Sequence, residues 1–232
     1  MLKEQDQYYA ITHRGDDDTN FGVHTRLPLA LKDLSVNSLL VLAFIDIDQF
    51  QDTRFRKGGK RSPIKIATFI NGLGISERSV RYALKELIKK QIITTEYREK
   101  IGTCYMSNIL KLNVRYQIIT LAFIIRLDIS VLAKALVLRV LMASTDRVSE
   151  LGTIAAVSRE VGMSRTTIYK IFDELSSKDY IIYMQNKAYA IDIERLMLDS
   201  DVHIAREVID LRKRNQYLIG EIKKVNPAWR EG

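Results

Sequence analysis

Cysteine is nearly absent. The chain of 232 residues carries one, Cys104, so no intramolecular disulfide can form and an intracellular, reducing compartment is expected. Long apolar runs are missing too: "SLLVLAF" and "IITLAFII" fall far short of the roughly 20 residues that a membrane-crossing helix needs. The amino-terminal "MLKEQDQYYA" lacks the apolar stretch of a signal peptide, so a cytoplasmic location and no membrane partner are expected. Histidine is scarce, and His13, His24 and His203 keep no metal-ligand spacing with one another or with Cys104, which argues against a zinc site. "GLG" and "KGGK" lack the phosphate-loop pattern with its lysine–serine ending. "DIDQFQD", with Asp46, Asp48 and Asp52, reads as the solvated end of a helix, and "GDDDTN" as part of an acidic arm rather than a cation site. With no metal, no cofactor and no catalytic constellation in view, the chain is not expected to be an enzyme.

What is present is a balance of 47% apolar and 28% charged residues, enough to fold around a core, in one larger domain or two small ones. The formal net charge of +8 favours an anionic partner, of which nucleic acid is the commonest for such a chain.

Residues 1–26 are polar, show neither helical nor strand period, and read as an arm. From Leu27 the text becomes periodic: "LPLALKDLSVNSLLVLAFIDIDQF" places Leu39, Leu42 and Ala43 on one helical face after Pro28. "QDTRFRKGGKRSP" then breaks structure at Gly58, Gly59 and Pro63 while gathering Arg54, Arg56, Lys57, Lys60 and Arg61, a basic loop. "IKIATFINGLG" reads as a short helix ending at glycine. Ser76 caps the next, whose buried stripe is Val80, Leu84, Leu87 and Ile88. "IITTEYREKIGTCYMSNILKL" follows as two strands turning at "KIG".

Three helices and a hairpin recur. With Gly74 aligned on Gly162, Ile75, Ser76, Val80, Glu86, Leu87 and Ile93 meet Met163, Ser164, Ile168, Glu174, Leu175 and Ile181 without a gap. The second copy lacks the basic loop and carries a shorter hairpin, "YIIYMQNKAYAID", turning at "QNK". The expected fold is mainly α with small β-wings: two tandem winged-helix (helix-turn-helix) domains at 27–113 and 126–193, an apolar connection at 114–125, and a C-terminal helix in 194–232. Because the connection is apolar rather than Gly/Ser-rich, the two units are expected to pack together.

A helix-turn-helix presents its second helix to the major groove, whose base edges carry a full donor and acceptor code. In the first unit the side chains opposite the buried stripe are Ser76, Glu77, Arg78, Ser79, Arg81, Tyr82 and Lys85; in the second, Ser164, Arg165, Thr166, Thr167, Tyr169 and Lys170. Both faces suit double-stranded DNA, although any amphipathic helix has a polar side. From Leu27 to Asn113 there are 15 Lys and Arg against 8 Asp and Glu, a net of +7; from Arg126 to Ile193 there are 9 against 8, a net of +1. Phosphate neutralisation supplies most non-specific affinity, so the first unit should dominate salt-dependent binding. Arg56, Lys57, Lys60 and Arg61 in the loop, Arg98 and Lys100 in the first hairpin and Lys187 in the second are candidate phosphate contacts, the alternative being solvated surface charge. The second unit either binds more weakly or serves as a packing partner.

The tail carries a heptad seam. Val208, Asn215 and Ile222 fall at a, and Ile204, Leu211, Leu218 and Val225 at d. Asparagine at a central a position favours a two-stranded, in-register pair, and Glu207 at g and Arg212 at the following e have opposite signs. Gly220 weakens such a helix by about 1 kcal/mol. The segment either makes a homodimer or folds back on its own domain.

These motifs resemble those of tandem winged-helix DNA-binding proteins of plasmids and phages. "LPLALKDLSVNSLLVLAFID" followed by "IKIATFINGLGISERSVRYALKELIKKQII" is similar to the amino-terminal winged helix of plasmid replication initiators and of DnaD-like primosomal proteins. The likeness covers about 27–113 and more loosely 126–193, and many transcriptional regulators share it. It implies a recognition-helix role for Ser76, Arg78, Ser79, Arg81, Tyr82 and Lys85. It also implies action at an origin or operator beside the replication or transcription machinery. The terminal segment departs from the pattern, with a short coiled coil in place of a second initiator module. The rival from another class is a protein-interaction adaptor, in which the same helices dock on protein.

Overall fold

A computed structural model describes residues 7–11, 24–55, 63–99, 102–109, 115–143, 148–184 and 188–198. Residues 1–26, expected as an aperiodic arm, contain two strands, β1 (Gln7–Ile11) and β2 (His24–Pro28). Their pairing comes from partners 88 or more residues away in the chain, which local alternation cannot reveal. Leu27 and Pro28 therefore end a strand instead of opening a helix; a single 3-10 turn, Leu29–Leu31, separates them from α1 (Val36–Phe55). Ser35 starts α1 by accepting the Ser38 N–H at 3.2 Å, satisfying one of the donors a helix start leaves unpaired. Every residue from Ser38 to Ile47 is buried, so this stretch of α1 is enclosed on all sides and not by one stripe. Asp46 lies in that stretch, a correction to its expected solvated position. Thr25 of β2 donates to its carboxylate at 2.5 Å, and burial, opposed by hydrogen bonds from Thr25 and Ser107, raises its pKa.

α2 (Ile66–Leu73) ends at Gly74, which takes φ +69°, and α3 (Glu77–Lys89) begins at Ser76. The hairpin of β3 (Ile93–Arg98) and β4 (Gly102–Ser107) follows in antiparallel register, Ile93 opposite Ser107 and Arg98 opposite Gly102. Phe69 joins these pieces, its ring centroid 5.5 Å from Phe44 of α1 and 5.9 Å from Tyr105 of β4.

The stretch expected as a plain connection forms β5 (Tyr116–Thr120), antiparallel to β2, and α4 (Leu121–Ile125), capped by the Thr120 hydroxyl. The second unit then runs α5 (Val131–Ala143), β6 (Val148–Gly152), α6 (Ile154–Val161), α7 (Arg165–Ser176), β7 (Ile181–Met184) and β8 (Ala188–Asp192), with α8 (Ile193–Leu198) after it. Its sheet has the order β6-β1-β8-β7: β1 enters between β6 and β8, antiparallel to the first and parallel to the second. Among the described residues the architecture is thus mainly helical with small sheets.

The repeat is visible in the backbone. Gly74 and Gly162 share φ +69°, and Gln91 and Asp179, each 17 residues after its turn glycine, have φ +55° and +58°. In both units a glutamate on the third helix holds the start of the first. Glu86 accepts from Ser35 N at 3.3 Å and Ser38 Oγ at 2.6 Å, and Glu174 from Ser130 N and Oγ at 2.6 Å each. The glutamate stands 51 residues after the serine in the first unit and 44 in the second, the difference falling where the first carries its basic loop. The units share one hydrophobic core, with α1 packed on α4 and α5, and Arg139 of α5 donates to the Lys32 carbonyl at 2.6 Å. Arg126 pins the entry to α5: its guanidinium holds the Tyr180 hydroxyl at 2.8 Å and Asp128 at 2.6 Å, and its hydrogen bond to Asp128 draws that carboxyl down to about 2.

Candidate nucleic-acid interface

The surface around α3 is set by where the helix starts. Gly74 supplies the left-handed turn; a Cβ there would be strained by φ and would meet the Leu127 side chain at 3.4 Å. Ser76 then accepts the Ser79 N–H at 3.2 Å, and the two hydroxyls lie 3.0 Å apart. From this fixed start Val80, Ala83, Leu84 and Leu87 fall into the core. Ile88, expected in that buried stripe, is 43% exposed.

The opposite face carries the expected groups. Arg78, Arg81, Tyr82 and Lys85 are exposed together with Ser76 and Glu77, whereas Ser79 is half-buried because it completes the cap. They are not independent. Glu77 receives the Arg81 Nε and terminal nitrogen, both at 2.7 Å, and the Arg78 guanidinium lies 5.5 Å over the Tyr82 ring. Such contacts are worth only tenths of a kcal/mol at the surface, so both guanidiniums remain open to a stronger anion. Between α3 and β4 runs an open groove whose rim is Arg81, Lys85 and Lys89 and whose floor is Ile66, Leu84, Ile88 and Tyr105. Burial raises the Tyr105 phenol pKa against the opposing pull of Arg81.

In the second unit Ser164 repeats the cap, accepting Thr167 N–H at 3.2 Å. Arg165, Thr166 and Lys170 are exposed with Ser164, while Thr167 and Tyr169 are half-buried, Tyr169 against the core. The face open to a ligand is therefore narrower than the six residues expected.

Arg56, Lys57, Lys60, Arg61, Lys100 and Lys187 lie outside the described residues, as does the whole heptad of Ile204, Val208, Leu211, Asn215, Leu218, Ile222 and Val225. Arg98 closes β3 opposite Gly102, and its side chain is likewise outside them. Two groups were missed. Lys89 continues the Lys85 spacing by four residues and was readable from helical period; Tyr105 reaches the groove only because β4 lies beside α3, a tertiary placement that the hairpin pattern does not signal. Tyr97, on the same hairpin face as Tyr105, is 76% exposed.

Among the described residues no group of three or more His, Cys, Asp or Glu side chains is placed to hold a metal ion, and no helix is long and apolar enough to cross a membrane. No protein-family model, no curated protein and no solved structure matches the chain.

Proposed function

We propose that this protein binds double-stranded DNA through two tandem winged helices, with α3 as the principal recognition helix and α7 as a second, weaker one. The observation that carries the reading is the α3 surface: Arg78, Arg81, Tyr82 and Lys85 stand exposed on a helix that follows a tight turn and is followed by a hairpin, in the segment 27–113 with its net of +7. Guanidiniums and lysines on such a face address guanine O6 and N7 or phosphate, and the tyrosine offers an apolar surface to a thymine methyl. The two units share a core, so both helices would dock as one body and read half-sites of fixed separation.

The role most consistent with the resemblance is that of a non-catalytic, cytoplasmic replication initiator or transcriptional regulator of a mobile element, acting as a homodimer at an origin or operator. Selection of bound sequences from random duplex DNA tests this directly. Enrichment of a defined motif with two spaced blocks is expected; recovery of unenriched sequence at moderate salt would refute it and leave the protein-adaptor reading.

A further inference from the structure

Among the described residues, the sheet built from β6, β1, β8 and β7 has β7 as an edge strand. Among the described residues no strand lies outside β7, whose sequence, "IIYM", contains no charge, proline or glycine and pairs with β8 in continuous register without a bulge. Edge strands of monomeric proteins are commonly blunted by charge, proline, a bulge or shortness, because their unpaired amides template association, and of these β7 shows shortness, at four residues. The orientation of the amides follows from one hydrogen bond. Asp192 N–H donates to Tyr180 O at 3.0 Å, and counting on by twos makes Ile182 and Met184 the residues that exchange bonds with β8. Ile181 and Tyr183 therefore turn their N–H and C=O groups outward. The side chains match this openness: Tyr183 is 65% and Ile182 36% exposed, and Tyr183 is steadied by an edge-to-face contact with Tyr189 at 5.6 Å.

We propose that β7 is a self-association edge, taking β7 of a second copy of this chain in antiparallel pairing across a two-fold axis. An axis at Tyr183 sets that residue opposite itself, so that its outward N–H and C=O bond reciprocally, and sets Ile182 opposite Met184 of the second copy. The occupant is a second copy because the strand is self-complementary in this way, and because charge permits it. Residues Arg126 to Ile193 carry a net of only +1, so two second units meet with little repulsion, whereas two first units at +7 each would not. The proposal stands apart from DNA binding, and its surface is not the heptad of the tail.

The test is sedimentation equilibrium on the full chain and its variants, with far-UV circular dichroism as a check of folding. Tyr183→Pro removes an outward N–H that β8 does not use, and Ile182→Lys places a charge in the seam without touching the backbone. The wild type is expected to dimerise reversibly, and each folded variant to weaken the dimer by about tenfold or more. Leu211→Lys with Leu218→Lys is expected to leave it intact. A monomeric wild type overturns the proposal, as does a dimer that survives both edge variants or is lost only in the tail variant.

Discussion

The carboxylate of Glu86 and the hydroxyl of Ser38 lie 2.6 Å apart, a bond that holds the exposed helix α3 to the enclosed helix α1. Burial works to raise the Glu86 pKa, but hydrogen bonds from Ser38 and Ser35 and the contact with Lys90 outweigh it, and the value falls below the usual 4.5. A lowered carboxylate contributes stability that is present above pH 4.5 and lost as pH drops through its folded value. Glu86→Gln is expected to cost about 1–2 kcal/mol at pH 7 and to lose that deficit in acid, measured by urea unfolding at several pH values. A deficit unchanged down to full protonation would remove Glu86 from this role.

Lys134 is enclosed in α5, and its ammonium donates to the Ile124 carbonyl at 2.7 Å. Burial pushes its pKa down to about 8 from 10.5, with Asp128 opposing and Arg126 assisting. Between these two values the unfolded chain binds more protons than the folded one, so stability gains from this group as pH rises from about 8 to 10.5, by up to about 3 kcal/mol. In Lys134→Met that gain is expected to vanish. Parallel stability curves for the two proteins across the interval would contradict the assignment.

Arg78→Ala and Arg81→Ala are expected to lose sequence preference while keeping most affinity for random duplex. Neutralising Arg56, Lys57, Lys60 and Arg61 together should weaken all DNA alike and reduce the slope of log K against log salt by up to about 3.6. Fluorescence anisotropy on selected and random duplexes at several salt concentrations separates the two sets. Equal losses on both duplexes for both sets would end this division of labour.

Gly162 has φ +69° and open space where a Cβ would stand. Gly162→Ala is therefore a backbone test alone, expected to cost about 1–2 kcal/mol by thermal or chemical unfolding. Gly74→Ala adds contact with Leu127 to the same strain and is expected to cost at least as much. A neutral Gly162→Ala would mean that the turn relaxes without its left-handed residue.

What was legible in the sequence was local. Ser76 and Ser164 cap helices because each accepts from a backbone N–H three residues on, and the strands on either side of "KIG" and of "QNK" pair with each other. What was hidden depends on residues far away in the chain. Among the described residues β1 finds its strand partners in β6 and β8, buried Asp46 takes its hydrogen bond from Thr25 of β2, and Tyr105 joins the α3 groove through a neighbouring strand. The α3 surface was readable because a helix declares its exposed face every three to four residues. Its internal contacts divide the same way, for Glu77 with Arg81 follows from spacing, whereas Glu86 with Ser38 needs the tertiary fold.

The place of β1 in its sheet orders events in time. Synthesis delivers Gln7–Ile11 long before Val148–Gly152 and Ala188–Asp192, the two segments that flank it. While the first unit and α5 are being made, this strand has neither neighbour, and its parallel pairing with β8 closes one of the longest loops in the molecule. Among the described strands the first to be made is thus among the last to be seated, and closing that sheet is a late event that waits for both units.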